Sequence, residues 1–159
     1  MNVKSRLILL MLACLYLSAC NQAVGREYSR VKPTNTLYSS TVTDIAIQQI
    51  GKPYKYGGNG PSNYDCSGLV HYAYTKAGIT IPRNSTAQLQ YATRIPVNSL
   101  ESGDLVFFSI SQNKISHVGI YLGNNRFIHS PSSGKRVQIV TMDNPYWQSR
   151  FITAARVER

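Results

Sequence analysis

An α+β fold is expected of this chain, because helical patterning is confined to its first half and strand patterning to its second. Val42, Ile45, Ala46 and Ile50 recur at helical spacing. After Leu100 the texture changes to short runs rich in Val, Ile and Phe, separated by turn residues. Between two of those runs Gly123-Asn124-Asn125 marks a hairpin, so the strands it joins run antiparallel. N-terminal helices packed on an antiparallel sheet satisfy all three observations.

The chain opens on Lys4 and Arg6, followed by an uncharged apolar run from Leu7 to Leu17, the pattern of a secretory signal. That run is shorter than the roughly 20 residues needed to span a bilayer. Leu17-Ser18-Ala19-Cys20 resembles a bacterial lipobox, which makes residues 1–19 a lipoprotein signal peptide and Cys20 the lipidated residue. Residues 20–40 are polar, carry Pro33 and read as a flexible tether. Residues 41–159, about 119 in number, are the size of one domain.

Within that domain Gly51 and Pro53 stop the first helix, and Tyr54 to Tyr64 is a loop rich in Gly and Asn. A second helix starts near Asp65, with Leu69, Val70, Ala73 and Ala77 on one face and Gly78 closing it. Ser85-Thr86-Ala87-Gln88 reads as a capping box opening a short third helix. Ser102-Gly103-Asp104 is a turn into a short buried run, Leu105 to Phe108. Strands follow over His117–Leu122, Arg126–Ser130, Arg136–Val140 and Phe151–Val157.

Charge and cysteine content narrow the function classes. Loss of Lys4 and Arg6 with the signal takes the basic count from 17 to 15 against 7 acidic residues, a net charge of +8. A basic protein outside the cytoplasm is not expected to meet nucleic acid; its polyanions are phospholipid head groups and acidic wall polymers. Cys14 leaves with the signal and Cys20 takes the lipid, so Cys66 is a lone thiol in an export compartment, either buried and inert or used for chemistry. Asp65-Cys66-Ser67-Gly68 sits where a loop meets a helix. Asp65 is a natural N-cap, the helix dipole there favours a thiolate, and nearby backbone N–H groups suit an oxyanion.

The hairpin supplies partners for the thiol. If Gly123-Asn124-Asn125 is a three-residue loop, Ile120 lies opposite Ile128 and Gly119 opposite His129. Val118, Ile120, Leu122 and Ile128 then face the core, and His117, Gly119, Tyr121, Phe127 and His129 share the other face. The two histidines become diagonal neighbours, roughly 7–8 Å apart at Cα, with Gly119 leaving space between them. A two-residue loop would put them on opposite faces. A cysteine at a helix start and two histidines on one strand face suggest nucleophile, base and orienter. Zinc is the competing use of such residues, but no short Cys/His spacing supports a metal site. His71, inside the second helix, is expected to be structural.

Five motifs occur in one order: Gly51-Lys52-Pro53-Tyr54-Lys55-Tyr56-Gly57-Gly58, Asp65-Cys66-Ser67-Gly68-Leu69-Val70, Ile81-Pro82-Arg83, Ser102-Gly103-Asp104-Leu105-Val106-Phe107-Phe108 and His117-Val118-Gly119-Ile120-Tyr121-Leu122-Gly123. In this the chain resembles the NlpC/P60 cysteine peptidases over residues 41 to 157. The resemblance implies a papain-like fold and cleavage of peptidoglycan stem peptides, with no cofactor. It implies Cys66 as nucleophile, His117 as base and His129 as the polar third member. Tyr54 matches a tyrosine beside the nucleophile, and Asp65, Ser67, Arg83 and Ser85 match positions lining the stem-peptide subsite. Asn84 stands where several γ-D-glutamyl-specific members have an acid, and Pro131 follows His129 closely. The bond expected is the D-Ala–diaminopimelate crosslink, with γ-D-Glu–diaminopimelate as the alternative. A wall-binding lipoprotein without turnover is the rival of another class, disfavoured by the intact Cys66, His117 and His129. An LRAT-like acyltransferase places its histidine before its cysteine, the reverse of the order here. The protein is expected to be a monomer held in the cell envelope by Cys20, and Asn21 points to an outer membrane, facing the periplasm, if the envelope has one.

Overall fold

Helix α1 (Asn35–Ile47) begins upstream of the spacing that predicts it, so the last part of the expected tether is helical. The computed structural model describes residues 35–110, 114–132 and 134–158; the signal, Cys20 and most of the tether lie outside the described residues. Val42 and Ala46 are buried as their spacing requires, whereas Ile50 falls beyond the helix and is exposed. Gly51, at a φ of 83°, turns the chain as expected of a helix stop. Helix α2 (Cys66–Lys76) buries Leu69, Val70 and Ala73 and ends at Gly78, whose φ is 84°.

Helix α3 (Ser85–Tyr91) is capped differently from the expected capping box. Asn84 is the N-cap and its side chain accepts the Ala87 N–H at 2.9 Å. Gln88 does not reach back to the cap. It is fully buried, and its Nε2 donates to the carbonyls of Ser67 and Pro82, tying α3 to the first turn of α2.

Strands β1 (Thr93–Ile95), β2 (Leu105–Phe108), β3 (His117–Gly123), β4 (Arg126–His129), β5 (Gln138–Thr141) and β6 (Phe151–Arg156) form one antiparallel sheet in the order β1-β6-β2-β3-β4-β5. The sequence patterning misses two pieces, β1 and the short helix α4 (Pro145–Gln148), capped by Asn144. Every residue of β2 is buried because both sheet faces are covered. Leu105 and Phe107 join Val118, Ile120 and Ile128 in the core under α1 and α2. Val106 and Phe108 join Phe127 and Trp147 in a second core on the opposite face. No helix among the described residues is long and apolar enough to cross a membrane.

The hairpin reaches its expected register by another route. Ile120 pairs with Ile128 and Tyr121 with Phe127, as the apolar alternation demands. The loop, however, has two residues, Asn124 and Asn125, at φ of 50° and 59°, and Gly123 pairs with Arg126. Positive φ at both central positions is the turn type that matches strand twist, and asparagine tolerates it. Such a loop alone would shift β4 by one residue and separate the histidines. A bulge at Leu122 absorbs the extra residue and restores the phase.

Candidate active site

Cys66 is the first residue of α2, and its placement follows from the loop before it. Asp65 adopts an extended backbone and caps the helix by accepting the Gly68 N–H at 2.7 Å. Its other carboxylate oxygen accepts the Gly57 N–H at 2.9 Å, which folds the glycine loop onto the helix start. The approach is close enough to require glycine at position 68, where a Cβ would sit 1.9 Å from the Gly58 carbonyl oxygen. Arg83 completes the knot: Nη1 donates to Asp65 and Ser67, and Nη2 to Asp65 and the Gly58 carbonyl, all at 2.8–3.0 Å. A bidentate guanidinium–carboxylate pair of this kind fixes geometry as well as adding attraction. Asp65, Ser67 and Arg83 therefore form one cluster; Ser85 opens α3 nearby but takes no part in those bonds.

The sheet brings its histidines to the same place. The backbone amides of Ser67, Val118 and Cys66 itself act on the thiol and favour its anion, which puts the sulfur close to β3 at the residue next to His117. His117 Nε2 and His129 Nδ1 are 2.9 Å apart. Both rings are buried, at 2% and 0% exposure. Gly119 does not leave the open space expected between them: Phe127 fills it, and a Cβ there would be 2.5 Å from Phe127 Cδ2. The indole of Trp147 stacks on His117 at 5.3 Å between centroids and meets His129 edge-on at 4.7 Å. Burial accordingly pushes His117 down to about 3. Burial, then His117 and then the Lys135 charge, push His129 down to about 2. The pair is neutral at physiological pH.

The thiol departs from the depressed pKa that its helix position suggests. Burial pushes it up, and Asp65 beside it adds to the rise, while the three backbone amides pull the other way. Desolvation of the anion outweighs the helix end even though Cys66 is only partly buried. The directions of the two shifts favour a thiol and a neutral imidazole over a standing ion pair.

Tautomers follow from the hydrogen bond. His117 can take a proton from the thiol only at Nδ1, since Nε2 is engaged with His129. Nδ1 must then be bare, Nε2–H donates to His129 Nδ1, and His129 carries its own proton on Nε2. That Nε2 is buried without a hydrogen-bond partner among the described residues.

Tyr54 is half-buried near the thiol, and burial, then Cys66, Asp65 and Tyr56, keep its phenol protonated and able to donate. His71 lies apart from the pair on α2, lowered by burial and by Arg83. Three residues were not singled out from the sequence for the work they do. Ser130 Oγ donates to the Tyr64 carbonyl at 2.8 Å, joining the end of β4 to the residue before Asp65. Trp147 covers both histidines, and Lys135 accepts the Tyr54 N–H on its carbonyl at 2.9 Å. A separate small cavity near Ser39, Tyr74 and Arg156 includes none of the predicted site residues.

The sequence profile of the NlpC/P60 family matches residues 51–156. The chain is 39% identical to "Probable endopeptidase YafL" of Escherichia coli K12, over 86% of this chain and 60% of that protein. It is 46% identical to "Murein DD-endopeptidase MepH" of the same organism, over 70% of this chain and 43% of that one. The chain therefore spans about half the length of these relatives. A crystal structure of an NlpC/P60 family protein from Bacillus cereus superimposes with a TM-score of 0.71 at 32% identity, covering 75% of this chain and 40% of that one.

Proposed function

Because the chain belongs to the NlpC/P60 family, we propose that it is a cysteine endopeptidase hydrolysing amide bonds in the stem peptides or crosslinks of peptidoglycan. The observation that carries this reading is the buried His117–His129 pair, bonded at 2.9 Å, beside a thiol at a helix start. In this mechanism His117 Nδ1 takes the Cys66 proton as the sulfur attacks the scissile carbonyl. Forming the anion only at that moment suits a thiol held neutral by burial. Backbone amides around the sulfur stabilise the oxyanion. The imidazolium, steadied by His129, returns the proton to the departing amine. Water then enters by the same route and releases the acyl group from Cys66. Tyr54 donates to the carbonyl, and the Asp65–Ser67–Arg83 cluster with Ser85 lines the subsite for the stem.

The favoured bond is the D-Ala–diaminopimelate crosslink. YafL is named a probable endopeptidase and MepH a murein DD-endopeptidase. The Asn84 side chain is committed to capping α3, which leaves no acid at a position that γ-D-glutamyl-specific members use. The γ-D-Glu–diaminopimelate bond is the alternative. Residues 1–19 serve as signal, the stretch from Cys20 to the start of α1 as tether and the chain from α1 onward as catalytic unit, with a lipid on Cys20 holding the protein as a monomer in the cell envelope. The test is digestion of purified muropeptides, with products identified by mass spectrometry. Wild-type protein should release uncrosslinked stems and Cys66→Ala should release none; equal digestion by the two would end the cysteine-peptidase reading.

A further inference from the structure

On the Trp147 side of the sheet a cavity of about 330 Å³ opens against the indole that covers the histidine pair, lined by Pro131, Lys135, Gln138, Asn144, Tyr146 and Trp147 among others. Its walls belong to the catalytic neighbourhood. Gln138 is the strand partner of His129, and Trp147 touches both rings. Lys135 is held in place from the nucleophile's side, since its carbonyl takes the Tyr54 N–H at 2.9 Å and the next residue, Arg136, bonds Gly51. The Lys135 ammonium has no carboxylate partner among the described residues, and no lining residue is acidic. The other flank of the thiol is differently built: there Arg83 is already neutralised by Asp65. An anionic substrate group that enters this cavity therefore meets the Lys135 ammonium and no carboxylate among the described lining residues.

We propose that this cavity is the leaving-group subsite and that Lys135 in it binds a carboxylate of the residue whose amine departs. The inference rests on the endopeptidase reading and specifies its substrate. A general base that protonates the departing amine must stand on the leaving-group side, so the chain beyond the cut passes the histidines and enters this cavity. In both bonds considered above the departing amine belongs to diaminopimelate, a diamino diacid that carries a carboxylate outside the scissile amide. Lys135 reads that group and Arg83 does not, so Lys135 sets specificity for what leaves rather than for what is acylated.

The purified chain is assayed on two synthetic crosslinked peptides that differ only at the diaminopimelate side group, free carboxylate or carboxamide. Wild type should prefer the carboxylate peptide by about tenfold in kcat/KM, the scale of one charge-assisted contact, with the difference mainly in KM. Lys135→Met should cut both peptides alike and Lys135→Arg should recover the preference. Binding of both peptides to Cys66→Ala and to Cys66→Ala/Lys135→Met supplies a readout without turnover. A preference that survives Lys135→Met, in cleavage or in binding, overturns the subsite while leaving the endopeptidase intact. If wild type cuts neither peptide, the endopeptidase reading fails, and the binding arm still decides whether Lys135 recognises the carboxylate.

Discussion

Acid should unfold this protein through its histidine pair before it does so through its carboxylates. Both rings are buried and neutral, with His117 lowered to about 3 and His129 to about 2 from an ordinary value of 6.5. In the unfolded chain each ring takes a proton as pH falls through 6.5; in the folded chain neither does until far lower. The unfolded state therefore binds more protons in this window, and stability falls as pH falls. At pH 5 each ring lies about 1.5 units below its unfolded value, and at 1.36 kcal/mol per unit this costs about 2 kcal/mol per ring. The two together remove about 4 kcal/mol, a large share of the 5–15 kcal/mol typical of a domain. Urea unfolding at pH 7.5, 6.5, 5.5 and 5.0 measures the slope. His117→Gln/His129→Gln, whose amides do not titrate, should lose most of that slope even if its absolute stability is lower. A wild-type stability flat between pH 7.5 and 5, or an equal slope in the double variant, would refute the neutral-pair argument.

Further outcomes follow from the roles assigned to single side chains. His117→Gln should abolish wall hydrolysis, because a general base is typically worth about 10²–10⁴-fold, whereas His129→Gln should retain measurable turnover since an amide can still accept from His117 Nε2; equal loss in both would invalidate the division of labour. Alkylation of Cys66 by iodoacetamide across pH should give a midpoint above the free-thiol value of about 8.5, and a midpoint well below it would show a standing ion pair instead. Cys20→Ala should block lipid labelling and shift the protein out of the membrane fraction; palmitate labelling that persists in that variant excludes Cys20 as the anchor.

What could be read from the sequence was what is decided locally. Asp65 caps its own helix three residues on, so the motif alone places Cys66 at a helix start. The apolar alternation of Ile120 and Ile128 fixes which face each histidine takes, because one slipped residue would expose the core set. The turn that achieves this is not legible, since Gly123 looks like part of a loop but pairs with Arg126, and the extra residue is taken up at Leu122. Features set by distant segments were not legible. Phe127 and Trp147 close the second face of the sheet, so the histidines are buried rather than merely aligned. The Cys66 shift runs opposite to the expected direction for a similar reason: a helix end is visible in sequence, but the tertiary burial that desolvates the sulfur is not. Lys135 approaches from 69 positions beyond Cys66 along the chain, with no motif to mark it.

The bulge at Leu122 has a consequence for how this hairpin tolerates change. Two-fold alternation makes catalysis here a question of odd and even. Adding or removing one residue in the Asn124-Asn125 loop, with nothing else altered, turns His129 into the helix-side core and leaves His117 without its partner. Length variants that keep the pair must change by two residues, or must gain or lose a bulge in the same step. Relatives with longer loops at this corner should therefore carry a matching irregularity in one of the two strands, and a loop graft designed on length alone would produce a folded sheet with no active site.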